Sequence, residues 1–294
     1  MRVHLVDGTY ELFRYHFAMP SHLTRDGREV AATRGVVGSM LTLISEGATH
    51  VAIATDQVIE SFRNELYDGY KTGEGIDPDL HEQFPLLEEA LALAGFKVWP
   101  MVEFEADDAM GAGAVMAAAD TRVEQVLICT PDKDLGQCVT ADGRISQFDR
   151  RKGLLIDYAG VTEKFGVPPE SIADYLGLVG DTADGFPGLP GWGAKSASTV
   201  LARYGRIEDI PAEPGKWDVK VRGAVKLAAT LQNNLDDALL FRRIATIETD
   251  VPNLGTVDDL AWKGPQEGFV EFCATIDGER LADRALKLAS TPTD

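Results

Sequence analysis

Nine carboxylates fall in five tight groups along 294 residues: Asp7; Asp56; Glu105, Asp107 and Asp108; Asp132 and Asp134; Asp181 and Asp184. Gathered into one cleft, they would repel and raise one another's pKa values unless cations neutralised them. Hard oxygen donors of this type suit Mg2+ or Mn2+, which take few direct protein ligands and keep several waters. Two such ions about 3.5–4 Å apart activate a water and stabilise the leaving oxygen in phosphodiester displacement. Metal-assisted phosphoryl transfer is the chemistry this set of residues offers. No nucleophile triad competes with it, because His4, His16, His22, His50 and His81 are scattered and none has a partner motif. Cys129, Cys138 and Cys273 have no ligand spacing and read as reduced structural thiols, not a zinc site.

The elements that must position these acids show in the apolar pattern. Runs without alternation at Val3–Val6, His50–Ala54 and Gln125–Cys129 predict buried parallel strands. Each delivers an aspartate: RVHLVD ends at Asp7, HVAIATD at Asp56 and QVLICTPD at Asp132. Helical patterns over Thr33–Ser45, Leu80–Ala94 and Ala106–Ala119 separate the runs, as in a sheet built from βαβ units. Right-handed crossovers then place every strand C-terminus on one edge, where open α/β sheets bind ligands. A lone Asp after a strand reads most simply as a helix cap or turn residue. Three in register predict a shared site instead. EADD opens a helix, where the macrodipole favours acids, so a local explanation exists there too. Yet Glu105 and Asp107 flank Ala106 much as Asp132 and Asp134 flank Lys133, and two such pairs can aim acids at a common point. A haloacid-dehalogenase-type phosphatase would want a second Asp two positions after the first, where this chain has Gly8 and Thr9.

With 45% hydrophobic residues, the length allows one sizeable α/β core plus a smaller appendage. No run approaches the roughly 18 apolar residues of a membrane span, and MRVHLVDG is no signal-peptide core, so a cytoplasmic location without membrane contact is expected. A net charge of −19 argues against a nucleic-acid partner until its distribution is considered. Residues 187–243 hold nine Lys/Arg against six Asp/Glu, a net +3, which leaves −22 elsewhere. From about Gly185 the texture changes, with GFPGLPGWGAKSA followed by helical patterns at Ala197–Tyr204, Val221–Leu231 and Asp236–Ile244. Gly188, Gly191 and Gly193 form a tight turn whose exposed amides, with Lys195 and Ser196 at the following helix start, suit a phosphate. Val270–Ile276 and Arg280–Leu288 form amphipathic pieces expected to pack back on the core.

Together LVDGTYELFR, FRNELYDGYK, EADD, TPDKDL, FDRRKGLLIDY and EKFGVPPESIADYLGLVGDTADGFPGLPGWGAKSA resemble the 5′-3′ exonuclease and flap endonuclease family, in the bacterial form found at the N-terminus of DNA polymerase I. The likeness runs from about residue 2 to 245. With no polymerase domain following, the chain resembles a stand-alone member. The resemblance implies an α/β fold: a PIN-like parallel-sheet nuclease domain over 1–184, with an arch segment at about 63–95, and a helical helix–hairpin–helix module of H3TH type with C-terminal helices over 185–294. It implies that Asp7, Asp56, Glu105, Asp107, Asp132 and Asp134 hold the nearer metal with Asp108 adjacent, and that Asp181 and Asp184 serve a second. It implies that Arg63, Tyr70 and Lys71 grip the scissile phosphate and stack the terminal base, and that the hairpin turn takes a K+. The implied activity is structure-specific 5′ nuclease action, exonuclease or flap endonuclease, on DNA with 5′ ends, flaps, nicks or gaps, in replication and repair. The protein would be a monomer, with a polymerase, ligase or sliding clamp as partner by analogy alone. Two other readings share parts of the pattern. A PIN-like RNA-directed nuclease would keep the fold and lack the helical module, and a non-cleaving branched-DNA-binding protein would lack ligands, of which all nine are present.

The chain departs from the family after Lys71. Where bacterial relatives continue into a basic stretch, residues 72–96 contain no Lys or Arg and six acids: Glu74, Asp77, Asp79, Glu82, Glu88 and Glu89. Trp192 also replaces an aliphatic hairpin residue. Each missing phosphate contact lowers affinity in a salt-dependent way. Flap cleavage measured against ionic strength is therefore expected to fail at lower salt than in a relative with a basic arch; equal salt tolerance would refute this.

Overall fold

A computed structural model describes residues 1–290 of the chain. Four apolar runs form parallel strands, β1 (Arg2–Asp7), β2 (His50–Asp56), β3 (Lys97–Met101) and β4 (Gln125–Cys129), in the order β3-β2-β1-β4. β1 is central, with Val3 opposite His50 and Asp7 opposite Ala54 on one side, and Val6 opposite Cys129 on the other. Its Val3, Leu5 and Val6 are fully buried, as are Val51 to Ala54 of β2. Helices on both faces impose that burial and erase the alternation of a half-solvated strand. β3 is absent from the sequence expectation because Pro100 interrupts its apolar run. It lies at the edge, paired only with β2 among these strands, where a missing N–H is tolerated.

Around these strands the same unit contains α1 (Gly8–Ala18), α2 (Ala31–Ser45), α4 (Pro78–His81), α5 (Gln83–Leu93), α6 (Ala106–Ala119), α12 (Phe269–Thr275) and α13 (Glu279–Ala289). α6 is built from Ala and Gly, so it lies close against the sheet: a Cβ at Gly113 would come within 2.5 Å of the Trp99 ring. After Thr249 the chain returns to this unit. There Trp99 Nε1 donates to the Leu254 carbonyl at 3.0 Å, and Arg284 donates to the Gly38 carbonyl at 3.0 Å.

Residues 60–72 and 131–248 form a second unit. It contains α3 (Phe62–Leu66), the antiparallel pair β5 (Ile145–Asp149) and β6 (Leu154–Ile156), then α7 (Tyr158–Phe165), α8 (Ile172–Val179), α9 (Ala194–Tyr204), α10 (Ala224–Asn233) and α11 (Leu235–Ala245). Leu178, Phe186, Trp192, Leu201 and Phe241 belong to its core. α8 and α11 approach closely through Gly177, where a Cβ would meet the Ala238 carbonyl at 2.9 Å. Within the stretch 63–95, Phe84, Leu87 and Leu91 of α5 are buried in the first unit.

Gly8 begins α1 directly after Asp7, where an added Cβ would meet Ile53 Cγ2 and Thr55 Cγ2 at 2.7 Å and the Ala54 carbonyl at 2.8 Å. Backbone cannot yield as a side chain tip can. Gly8→Ala is expected to destabilise the protein by about 1–3 kcal/mol, read as a lower urea midpoint at unchanged slope.

Candidate active site

In the first unit, Asp7 closes β1 and caps α1. Its Oδ1 accepts the Tyr10 amide at 2.8 Å and its Oδ2 accepts Thr130 Oγ1 at 2.9 Å. Asp56 closes the neighbouring strand; its amide donates to Thr9 Oγ1 at 2.9 Å, and its Oδ1 accepts the Ala106 amide at 2.8 Å. The first turn of α6 thus reaches Asp56 and carries the EADD acids with it. Within that motif Glu105 is buried at the helix N-cap and Asp107 is half-buried. Asp108 is wholly buried, and its Oδ2 accepts the Glu105 amide at 2.9 Å. That bond makes Asp108 a capping residue that fixes where the helix begins, and so how Glu105 stands.

In the second unit, Asp134, Asp181 and Asp184 each offer a carboxylate oxygen, all within 4.8 Å of one another. Asp132 is exposed, and its Oδ1 accepts the Asp134 amide at 2.8 Å, an Asx turn that opens the 3-10 turn Asp134–Cys138. Gln147 of β5 holds that turn by donating to the Asp132 carbonyl at 2.5 Å. Asp181 sits in a bridge with Phe186, and its Oδ1 accepts the Ala183 amide at 2.9 Å. Two lysines face this group: Lys133 Nζ bonds to Asp181 Oδ2, and Lys71 Nζ lies 3.0 Å from Asp184 Oδ1.

Electrostatics follow from burial and crowding. Burial first, then the charges of Asp132 and Asp184, push the Asp134 carboxyl well above the usual aspartate range. Burial works against the charge of Lys133, but the bond to Asp181 and the surrounding carboxylates outweigh it and hold the ammonium pKa above the ordinary lysine value. Asp134 Oδ1 is buried with no hydrogen-bond partner. A buried acceptor left unpaired costs free energy, and within a set of carboxylate oxygens the group that satisfies it is a hard cation. The residues present therefore fit a divalent metal ion.

Three residues expected at the phosphate differ in placement. Arg63 is 2% exposed, and its Nε and Nη2 donate to the Ile244 and Thr246 carbonyls at 2.7 and 2.9 Å, where α11 ends. Helix-end carbonyls lack intrahelical donors, which explains why a guanidinium is drawn there. Tyr70 is 5% exposed and packs in the core of the second unit. Lys71 alone carries its charge to the acids, with Nζ 5.4 Å above the Tyr70 ring. Thr130, Lys133 and Gln147 were not singled out as functional; only the position of Lys133 between two motif aspartates could have marked it.

The hairpin separates into a packing half and a presenting half. Gly188 (φ 65°) is buried, and a Cβ there would fall 2.4 Å from the Gly180 amide nitrogen, so its role is close backbone approach. Gly191, Gly193 and Lys195 are exposed, and Ser196 Oγ accepts the Gly193 amide at 3.0 Å while donating to its carbonyl. Trp192 is buried, with Nε1 donating to the Leu227 carbonyl at 3.2 Å and its ring 6.2 Å from that of Trp217. It packs.

Comparison with known proteins gives matches along both halves of the chain. The profile of the 5′-3′ exonuclease N-terminal resolvase-like domain matches residues 2–166, and that of the 5′-3′ exonuclease C-terminal SAM fold matches 167–268. DNA polymerase I of Pseudomonas aeruginosa is 36% identical over 290 residues, covering 97% of this chain and 31% of the polymerase. That of Bacillus caldotenax is 33% identical over 312 residues, covering 99% of this chain and 34% of the polymerase. The chain thus spans about a third of the length of the curated relatives it matches. Among solved structures, the T5 5′-exonuclease with bound divalent metal ions (zinc) aligns with a TM-score of 0.66 at 18% identity, covering 98% of each chain. The catalytic core of Rad2 in complex with DNA substrate aligns at 0.62 and 15% identity, over 98% of this chain and 92% of that one. At those identities the likeness concerns the fold. Among the described residues no helix is long and apolar enough to cross a membrane.

Because the folded-state pKa of Asp134 lies above its unfolded value of about 3.9, folding favours the protonated form. Its contribution is full below that unfolded value and is lost as pH rises through the raised one. In EDTA at neutral pH, Asp134→Asn is therefore expected to raise Tm, while the rise that Mn2+ gives the parent protein shrinks. A lower Tm in EDTA would show that Asp134 is compensated without a metal.

Proposed function

The chain belongs to the 5′-3′ exonuclease family, and from that membership we propose that it is a structure-specific 5′ nuclease that hydrolyses DNA phosphodiesters at 5′ ends, flaps, nicks or gaps with divalent metal ions, in replication and repair. The observation that carries the reading is the group of Asp134, Asp181 and Asp184, in which the buried Asp134 Oδ1 has no hydrogen-bond partner and Lys71 and Lys133 stand against Asp184 and Asp181. In this proposal Asp7, Asp56, Glu105, Asp107, Asp132 and Asp134 hold one ion, and Asp181 and Asp184, next to Asp134, hold another, with Mg2+ or Mn2+ as the hard cations that suit oxygen ligands. Bound there, the ions supply a nucleophilic water at neutral pH and neutralise charge on the phosphate.

The protein's own groups hold the parts in place. Tyr10 and Thr130 fix the two oxygens of Asp7, and the Ala106 amide fixes Asp56, so these carboxylates keep their orientation before substrate arrives. Asp108 sets the start of α6 and with it Glu105. Lys71 carries the charge that meets developing negative charge on the phosphate. Arg63 supports it indirectly, by tying the segment of α3 to the end of α11. Gly191, Gly193, Lys195 and Ser196 take the duplex by its backbone, without reading sequence, and a K+ in that turn is part of the same proposal.

A 5′-labelled flap duplex incubated with Mn2+ is expected to be cut by the protein and left intact in EDTA or by Asp132→Asn. Lys71→Ala is expected to retain metal binding and lose about 10²–10³ in kcat, as when one charge-stabilising donor is removed. Cleavage that survives chelation or Asp132→Asn would overturn the metal mechanism.

A further inference from the structure

Glu88 looks from sequence like one more acid after Lys71, yet the fold gives it a different place. It lies on α5, 9% exposed. Its Oε1 accepts Thr55 Oγ1 at 2.7 Å, and its Oε2 accepts Gln57 Nε2 at 3.0 Å. Thr55 and Gln57 are the two neighbours of Asp56. Successive side chains along a strand point to opposite faces, so Glu88 grips the end of β2 from the face opposite the Asp56 carboxylate. On that other face the Ala106 amide takes Asp56 Oδ1, and the Asp56 amide is held by Thr9. β2 ends at Asp56, a backbone bond from the Val58 amide to the Met101 carbonyl at 3.2 Å follows it, and Glu88 adds a side-chain bond on each side of Asp56.

The arrangement is a costly way to make a mere packing contact. Burial raises the carboxyl pKa of Glu88, and the bonds from Thr55 and Gln57 offset this only in part. Among the described residues no Lys or Arg pairs with Glu88. An apolar pair of similar volume would fill the space without desolvating a carboxylate. What an apolar pair cannot do is fix residues 55 and 57 directionally.

We propose that Glu88 is a positioning residue for Asp56: its carboxylate clamps Thr55 and Gln57 so that the Asp56 carboxylate is aimed before metal and DNA arrive. This rests on the reading of Asp56 as a metal ligand given above. Partners that orient a ligand in this way are worth about 10–100-fold in metal affinity. A glutamine at the position can keep both bonds, giving Oε1 to Thr55 and donating Nε2 to the Gln57 carbonyl once that amide turns over.

The test is Mn2+ binding to the intact chain without DNA, followed by electron paramagnetic resonance of the free ion, with Asp56→Asn as reference and Tm measured in EDTA. Asp56→Asn and Glu88→Ala are each expected to raise the half-saturating Mn2+ concentration, Glu88→Ala by about 10-fold, while Glu88→Gln stays close to the parent. The double substitution Thr55→Val with Glu88→Leu fills the site with apolar groups, and is expected to melt like the parent yet bind Mn2+ as weakly as Glu88→Ala. If Asp56→Asn weakens binding and the double variant does not, the clamp is wrong and the metal reading stands. If Glu88→Gln is as weak as Glu88→Ala, the charge of Glu88 matters and its hold does not, which also overturns the clamp. If Asp56→Asn binds Mn2+ like the parent, the reading of Asp56 fails first and the clamp with it.

Discussion

Repulsion among carboxylates that must stand close together is the constraint to which much of this structure answers. Each acid brought to the end of a strand or into a turn loses water and gains like-charged neighbours, and both effects favour protonation over the charged form that binds a cation. The chain counters this with donors fixed in advance. Backbone amides at helix starts hold Asp7 and Asp56, Thr130 holds the second oxygen of Asp7, and Lys133 and Lys71 place ammonium groups against Asp181 and Asp184. Asp134 keeps a buried oxygen without a hydrogen-bond partner, and burial with the charges of Asp132 and Asp184 pushes its carboxyl well above the usual range, so the group of Asp134, Asp181 and Asp184 fits a metal ion.

Fixing donors in advance requires backbone to approach backbone closely, and the glycines sit where that happens. Asp7 can cap α1 only because Gly8 lets the helix begin against the side chains and carbonyl of β2. Asp181 sits in its turn only because Gly180 and Gly188 pass each other with no room for a Cβ on either. Packing of α8 on α11 uses the same device at Gly177, and packing of α6 on the sheet uses it at Gly113. Acid placement and core density are thus one problem: loosening a contact that seems remote from the chemistry shifts an amide that a carboxylate depends on.

What could be read from the sequence divides along the same line. Strand ends with their aspartates were legible because buried parallel strands leave uninterrupted apolar runs. β3 was not, since Pro100 breaks its run, and an edge position that excuses a proline is a tertiary fact. Asp134, Asp181 and Asp184 could be named, but their meeting within 4.8 Å could not. Arg63 and Tyr70 show the limit most clearly. Residue type and motif name both for the phosphate and the base, but the bonds of Arg63 to the helix-end carbonyls of α11 and the place of Tyr70 in the core could not be read from them. Glu88 shows it in reverse: it was counted with its charged neighbours, and only the bonds to Thr55 and Gln57 distinguish it.

Net charge gains meaning once pairing is known. In the helical unit Arg203, Lys216, Arg242 and Arg243 each pair with an acid, so they contribute little to any outward field. Lys195, Lys220, Arg222 and Lys226 make no ion pair among the described residues. They are also not scattered. Lys195 stands at the start of α9, and the Trp192 bond to the Leu227 carbonyl ties that hairpin to α10, whose N-terminal approach carries the other three. No Asp or Glu occurs between Asp218 and Asp236. A chain of charge −19 therefore sets four cations outside ion pairs on two neighbouring elements. Phosphates gain most where cations need not first leave an acid, and repulsion from the remaining surface narrows the places where a nucleic acid can settle.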